Sequence, residues 1–468
     1  MGKIPLLLVA SYLPLAVVPQ TELANGQGIP PREFGFDIPP GKISYPAGQA
    51  VLTRDPDGNR VVAQVHVRVG KNYVLLFPDG QLAVQSVANT IDTDQPFVAV
   101  GKESLAAQLL VDLPRTEVPW KTRTTRRYLF VYNTNTEFAL VTSRILETMF
   151  PGIRKFSEKL KTTIHDPVVP MVVIMFGTER EFRAFRSVAR GVHAYYEPVS
   201  NRIVLYQQKH KPSLKPQLAI QQSISTIAHE GAHQILHNIG VQQRLSRWPM
   251  WLSEGLAEYF APTSVGKRLR WKGLGQVNDL RMFELEQFLK SQESDRRGGE
   301  MIEQTVTANR LSSTGYASAW SLTHFLAQRR KPQFQAFLHA VSQLKPLQGN
   351  PNPGNRENTV ENLSVFQTHF GDDLIKLENE LIQHLKRLPY QDPYAEFPHL
   401  VGMIVYRDGR QLRRVANLFH TQDVASKWTT ETLQALPEPQ RASARHALRS
   451  FPNRNSAERF AKQWLKAR

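Results

Sequence analysis

An α+β architecture is what this sequence predicts, on three observations. Residues from about 45 to 100 read as several short strands separated by turn signals. Between Tyr128 and Tyr206, strand-like apolar runs are interspersed with helical segments. From Gln217 to Leu385 the spacing is chiefly helical. The expectation is a small antiparallel β module, then an α+β domain with a mixed sheet over a central helix, then a small C-terminal α/β appendage.

The elements justify themselves in order. Met1 to Gly26 has the form of an export signal: Lys3, then an apolar run from Ile4 to Val18, then the small residues Ala24-Asn25-Gly26. The run is short for a membrane span and holds Pro14. An uncleaved anchor is the alternative. Residues 27–115 are expected to hold linkers and a barrel-like β module. Ala63, Val65, Val67 and Val69 alternate with Gln64, His66 and Arg68, and Pro78-Asp79-Gly80 marks a turn. Residues 120–389 form the main domain. Its strands are Tyr128 to Tyr132, Met171 to Phe176 and Arg202 to Tyr206, and one helix from Glu137 to Met149 is expected to stop at Pro151-Gly152. Residues 390–468 form a basic C-terminal region. A hairpin is expected around Asp408-Gly409 and a helix over Ala442 to Arg468.

Composition narrows the function classes. The chain has 468 residues, and Lys+Arg minus Asp+Glu is 58 − 41 = +17. The charge is spread along the chain, without a basic stripe interleaved with aromatics, so solvated surface charge is favoured over nucleic-acid binding. Mean hydropathy is −0.36, against a multi-span membrane protein. There is no Cys. Disulfides, Cys-bound zinc and a Cys nucleophile are therefore excluded, and any metal must sit on His and carboxylate.

Residues 229–233 read His-Glu-Gly-Ala-His. On a helix, His229 and His233 lie about 40° apart and one turn along the axis, so both can grip one ion. Glu230 sits beside them, within reach of a water on that ion. Ile220, Ile224, Ile227, Ile235 and Ile239 would bury the helix. His237 continues the row about 12 Å from His229, too far for one straight helix to converge all three. It reads as a core or supporting residue. The metzincin pattern is excluded, because Leu236 and Ile239 stand where it needs Gly and His. Trp251 to Phe260 reads as a second buried helix with Glu254 and Glu258 at i, i+4. Glu254 is the natural third ligand, completing the His, His, Glu set of a catalytic zinc with one open position. Glu258 is spaced to accept the other ring N–H of a ligand His. An ordinary salt bridge is its alternative.

The pair His229-Glu230-Gly231-Ala232-His233 and Trp251-Leu252-Ser253-Glu254-Gly255-Leu256-Ala257 resembles the gluzincin metallopeptidases, the thermolysin and aminopeptidase N-like group. The run from about Tyr128 to Leu385 more specifically resembles domain of unknown function 1570, common in secreted planctomycete proteins. Pro170 to Phe176, Glu181-Phe182, Ala194-Tyr195-Tyr196 and Asn201-Arg202-Ile203 support it, as does Ser225 to Ala228. The resemblance implies a zincin-like fold, one Zn2+ ion and Glu230 as general base. It also implies an oxyanion donor on a later helix. Tyr316, opening Tyr316-Ala317-Ser318-Ala319-Trp320, resembles that donor, a core aromatic being its alternative. His324 is expected to be structural.

A secreted, periplasmic or cell-surface bacterial zinc peptidase is the leading expectation, with a peptide or protein as substrate and no nucleic-acid partner. Absence of a Gly-x-Met-Glu-Asn signature weighs toward endopeptidase action. An extended substrate would pair with an edge strand. Arg202 to Tyr206 is the candidate strand, with Tyr195 and Tyr196 near the approach. The rival expectation is a non-catalytic binding protein with a structural metal domain.

Overall fold

The computed structural model describes residues 28–46, 48–189, 191–208, 216–264, 270–291, 297–349 and 356–467. The export-signal segment lies outside them, as does the side chain of Ile220. The described chain is a mixture of helices and largely antiparallel sheets, and so α+β. It divides into two compact units. One comprises residues up to Gln276 together with Ile302–Asp373, and the other Val277–Met301 with Leu374–Arg468. The second unit thus starts before residue 390 and draws in a distant segment. No helix among the described residues is long and apolar enough to cross a membrane.

In the first unit, β1 (Ile43–Ser44), β2 (Ala50–Arg54), β3 (Arg60–Val69), β4 (Asn72–Leu76), β5 (Leu82–Ser86) and β6 (Ile91–Thr93) form an antiparallel sheet. Its order is β5-β4-β3-β2-β6, with β1 on β3. The end strands β5 and β6 are not paired with each other, so the expected barrel is open. The alternation read from the sequence holds in burial, with Ala63, Val65, Val67 and Val69 buried and Gln64, His66 and Arg68 half-buried, but the buried residues divide between two clusters. A bulge at His66 shifts the register between Val65 and Val67. Ala63 and Val65 pack with Tyr73 and Leu75, whereas Val67 and Val69 pack in another cluster with Val74, Val169, Leu245 and Leu347. One extra residue in a strand turns the following side chains to the other face.

The chain continues through α1 (Lys102–Asp112), β7 (Lys121–Thr124), β8 (Tyr128–Tyr132), α2 (Thr136–Ser157), β9 (Met171–Phe176) and α3 (Glu179–Phe185). Then come β10 (Ala194–Glu197), β11 (Arg202–Tyr206), α4 (Pro216–Asn238) and α5 (Met250–Phe260). The strands make a mixed sheet in the order β10-β11-β9-β8-β7, with β8, β9 and β11 parallel and antiparallel edges. Every residue of β8 and β9 is buried, which is why both read as unbroken apolar runs. Leu129, Val131, Val172, Ile174, Val204 and Tyr206 pack with Leu105 and Leu109 of α1 and Phe182 of α3. α2 and α4 pack together, with α4 crossing β10 and β11. A Cβ on Gly231 of α4 would come 2.2 Å from Leu146 Cδ2 of α2, so the missing side chain sets how closely these helices approach.

α2 does not stop at Pro151-Gly152 but runs on to Ser157. Proline forfeits one helical hydrogen bond. Burial of Met149, Phe150 and Ile153 on the same helix outweighs it. Gly152 is covered by the Trp271 ring, which would lie 2.2 Å from an added Cβ.

Beyond α5, β12 (Thr263–Ser264) pairs with β13 (Arg270–Trp271). Next are α6 (Asp279–Ser291), α7 (Glu300–Thr307), α8 (Ser313–Arg329), α9 (Lys331–Ser342), α10 (Arg356–Phe370) and α11 (Leu374–Lys386). α8 packs on α5, where a Cβ on Gly255 would meet Thr323 Oγ1 at 2.2 Å and the Ala319 carbonyl oxygen at 2.6 Å. Trp251 of α5 stacks on Phe337 of α9 with centroids 5.7 Å apart.

To α6 and α11 the second unit adds β14 (His399–Asp408), β15 (Gln411–Phe419), α12 (Gln422–Ala435), α13 (Glu438–Ser443), β16 (Arg445–Phe451) and α14 (Arg454–Lys466). β14 and β15 form the expected hairpin, closing at the Asp408/Gln411 pair with Gly409 at φ 60°. The segment expected to be one helix from Ala442 is instead strand β16 followed by α14. β16 is almost wholly exposed, and its form is set by pairing with β14, which local spacing does not reveal.

Candidate metal centre

α4 and α5 bring the predicted residues together. His229 and His233, one turn apart on α4, direct their Nε2 atoms to the same point, 3.2 Å from each other. Glu254 enters from α5. Its Oε2 is 3.1 Å from His229 Nε2 and 3.6 Å from His233 Nε2. All three residues are buried. Four ligands arranged tetrahedrally at about 2.0–2.1 Å from one zinc ion lie about 3.3 Å apart. Two of the observed separations, 3.1 and 3.2 Å, lie close to that edge, and the third, 3.6 Å, is slightly wider. With both imidazoles neutral and Nε2 unprotonated, each of the three atoms presents a lone pair, and at this spacing these repel unless a proton or a metal cation lies among them. The donor chemistry and its spacing therefore fit zinc.

The surroundings orient the ligands. Glu258, one turn beyond Glu254, places Oε1 3.1 Å from His229 Nδ1. A proton on Nδ1 toward that carboxylate leaves Nε2 as the ligand atom. Burial pulls the His229 imidazole down, but Glu254, Glu258 and Glu230 outweigh it and hold it up at about 10. Burial raises Glu254, but His233 and His229 outweigh it and hold its carboxyl far below the usual range. The raised imidazole reflects the carboxylates around it, and the lowered carboxyl reflects the two imidazoles beside it.

Glu230 is fully buried. Its Oε2 accepts a hydrogen bond from the Tyr196 backbone N–H at 2.8 Å, and its Oε1 has no hydrogen-bond partner among the described residues. Burial pushes its carboxyl pKa up, with Glu254 adding to the rise and the two histidines opposing it. A carboxylate fixed through one oxygen and unpartnered at the other is suited to proton transfer.

Tyr316, near the start of α8, also reaches this centre. Its ring lies edge-on to His229, with centroids 6.0 Å apart. Ser312 caps the helix, its hydroxyl accepting from the Gly315 N–H at 3.2 Å. His237 and His324 lie apart from the ligand set. His237 Nδ1 donates to the Gln242 carbonyl at 3.1 Å, and burial holds its pKa down at about 3. His324 Nε2 donates to the Gly275 carbonyl at 3.1 Å.

The edge-strand expectation is corrected. Arg202–Tyr206 is an interior strand, paired with β10 on one side and β9 on the other. Ala194–Glu197 is the edge, and it crosses α4. Nor do the two tyrosine side chains line an approach. Tyr195 packs into the α1/α3 core, while the Tyr196 hydroxyl donates to Asn201 Oδ1 at 3.0 Å and its ring packs on His237.

Sequence reading missed the residues that dock α4 on the sheet. Gln234 Nε2 donates to the carbonyls of Val172 and Asn201, at 3.1 and 2.8 Å. Asn201 turns the chain at φ 58° and bonds Asn238 through its side chain. A Gln on the apolar stripe of α4 and an Asn between two β runs were the available signals.

Residues 223–348 match the family described as Protein of unknown function (DUF1570). The resemblance to that family is therefore shown, over a narrower span than residues 128–385. The DUF1570 region includes His229, Glu230, His233, Glu254, Glu258 and Tyr316, and stops short of the second unit's sheet. No curated protein matches the chain.

Proposed function

We propose that the chain is a zinc-dependent peptidase with a zincin-like main domain, cutting peptide bonds outside the cytoplasm. The observation that carries this reading is the trio of ligand atoms at 3.1, 3.2 and 3.6 Å beside a buried Glu230. A bound zinc ion would acidify water and polarise a carbonyl group. Glu230 would take the water proton on Oε1 and deliver it to the leaving amine, while the Tyr196 N–H holds Oε2 still. The Tyr316 hydroxyl would donate to the oxygen that gains charge as the peptide bond is attacked. β10 offers an edge on which an extended substrate could add as a strand. The binding-protein reading leaves Glu230 without a task. A structural zinc takes four protein ligands, and among the described residues this group has three.

The test is cleavage of a mixed peptide library by the purified protein beside Glu230→Gln, with zinc quantified in both. Cleavage should fall by about 10²–10⁴-fold in the variant at unchanged zinc content. Equal cleavage by both proteins would overturn the role of Glu230. Zinc in both with cleavage by neither would favour the binding protein.

A further inference from the structure

A second convergence of ligand atoms lies wholly within the C-terminal unit. Asp392 stands in the connection after α11, His399 opens β14, and His420 follows β15. One ligand atom from each lies within 4.8 Å of the others. Both imidazole Nε2 atoms are 3.6 Å from the same carboxylate oxygen, Asp392 Oδ2. That separation is slightly wider than the edge of about 3.3 Å expected around one zinc.

The neighbouring bonds fix which atoms are available. Asp392 Oδ1 accepts the Tyr394 N–H at 2.8 Å, which aims Oδ2 toward the histidines. His399 Nδ1 faces the Phe397 carbonyl at 2.8 Å and must carry the proton there. Its Nε2 is then a bare lone pair. Among the described residues that atom has no hydrogen-bond partner, and the side chain is only 2% exposed. A lone pair facing a carboxylate oxygen in a buried setting calls for a cation between them.

Arg454 is the obvious competitor, with Nη1 2.6 Å from Asp392 Oδ2. It is also shared with Glu286 at 3.4 Å and Glu458 at 2.7 Å. One guanidinium is thus shared among three carboxylates and is not dedicated to Asp392. A carboxylate oxygen has two lone-pair directions, so Arg454 leaves one open to an ion.

We propose that Asp392, His399 and His420 form a second metal site, taking a divalent transition ion of the zinc type. Two imidazoles with one carboxylate are a donor set such ions accept. Bound there, the ion ties the connection after α11 to the start of one strand and the end of the next.

The experiment is zinc titration of the metal-depleted full chain against a chromophoric chelator, for the wild type, His420→Gln and His233→Ala. The wild type should bind about two equivalents and each variant about one. Binding of one equivalent that survives His420→Gln and disappears in His233→Ala would overturn this site and leave the first standing. One equivalent with the reverse pattern would support it and remove the first. No binding by any of the three would overturn both. Should His420→Gln misfold, cobalt loaded into His233→Ala decides the matter: a four-coordinate d–d spectrum supports the second site, and no uptake overturns it.

Discussion

Glu258 and Tyr316 meet His229 with opposite chemistry. Glu258 lies 3.1 Å from the ring's Nδ1, whereas Tyr316 packs its ring edge-on against the imidazole. Only the second would act on substrate. Tyr316→Phe keeps the ring against His229 and removes the hydroxyl, so kcat for peptide cleavage should fall about 10²-fold. KM and zinc content should stay as they are. A fall in zinc content with unchanged kcat would instead mark the tyrosine as packing. The candidate ligand residues were legible in the sequence because two His at helical spacing and two Glu at the same spacing are side-chain patterns. The Tyr196 contact to Glu230 was not, because a backbone N–H has no letter. It depends on where β10 lands against α4.

At the scale of elements, close crossings and one half-buried carboxylate hold the framework. Gly231 and Gly255 adjoin ligand-helix residues, and both meet a neighbouring helix where no Cβ would fit. At position 231 the obstacle is the buried Leu146 side chain, and at position 255 it includes the Ala319 backbone carbonyl. Glu147 of α2 fastens the entry of β8. It accepts Thr125 Oγ1 at 2.6 Å, the Arg127 N–H at 2.8 Å and Arg127 Nη1 at 3.0 Å. Burial raises its pKa, but these donors outweigh burial and hold it below its ordinary value of 4.5. A carboxyl depressed in the folded state stabilises it fully above the unfolded value, and that stability is lost as pH falls through the folded value. Glu147→Gln should therefore cost about 1–2 kcal/mol near neutral pH and little below about pH 3, read from urea unfolding at both. An equal loss at both pH values would show that packing, not charge, is at stake. Most helices and the buried strands were visible as spacing and apolar runs. The run of α2 past Pro151 was not, since it rests on contacts made after folding, and the strand form of β16 rests on its partner β14.

Across the first unit, one arginine joins the N-terminal sheet to the main domain. Arg244, just after α4, is 8% exposed. Its Nη1 donates to the Gly80 carbonyl at 2.9 Å, its Nη2 to Val199 at 2.7 Å and its Nε to Pro198 at 2.5 Å. Its own carbonyl faces His66 Nε2 at 2.9 Å, at the bulge that splits β3 between two clusters. Gly80 closes the β4–β5 turn, while Pro198 and Val199 close β10–β11. Three carbonyls from two hairpins thus converge on one planar fork, which an ammonium group cannot reproduce. In the sequence this residue is one of many basic ones, and nothing local sets it apart. Its role exists only because the two hairpins meet. Burial draws the guanidinium down to about 10, so it stays charged at neutral pH. Arg244→Ala should strand those carbonyls and lower stability by about 2–4 kcal/mol in chemical denaturation. Arg244→Lys should recover less than half of that. Limited proteolysis should then open the turn at Pro78-Asp79-Gly80 well before the wild type is cut. A lysine variant as stable as the wild type would show that charge alone suffices and that the fork does not join the two parts.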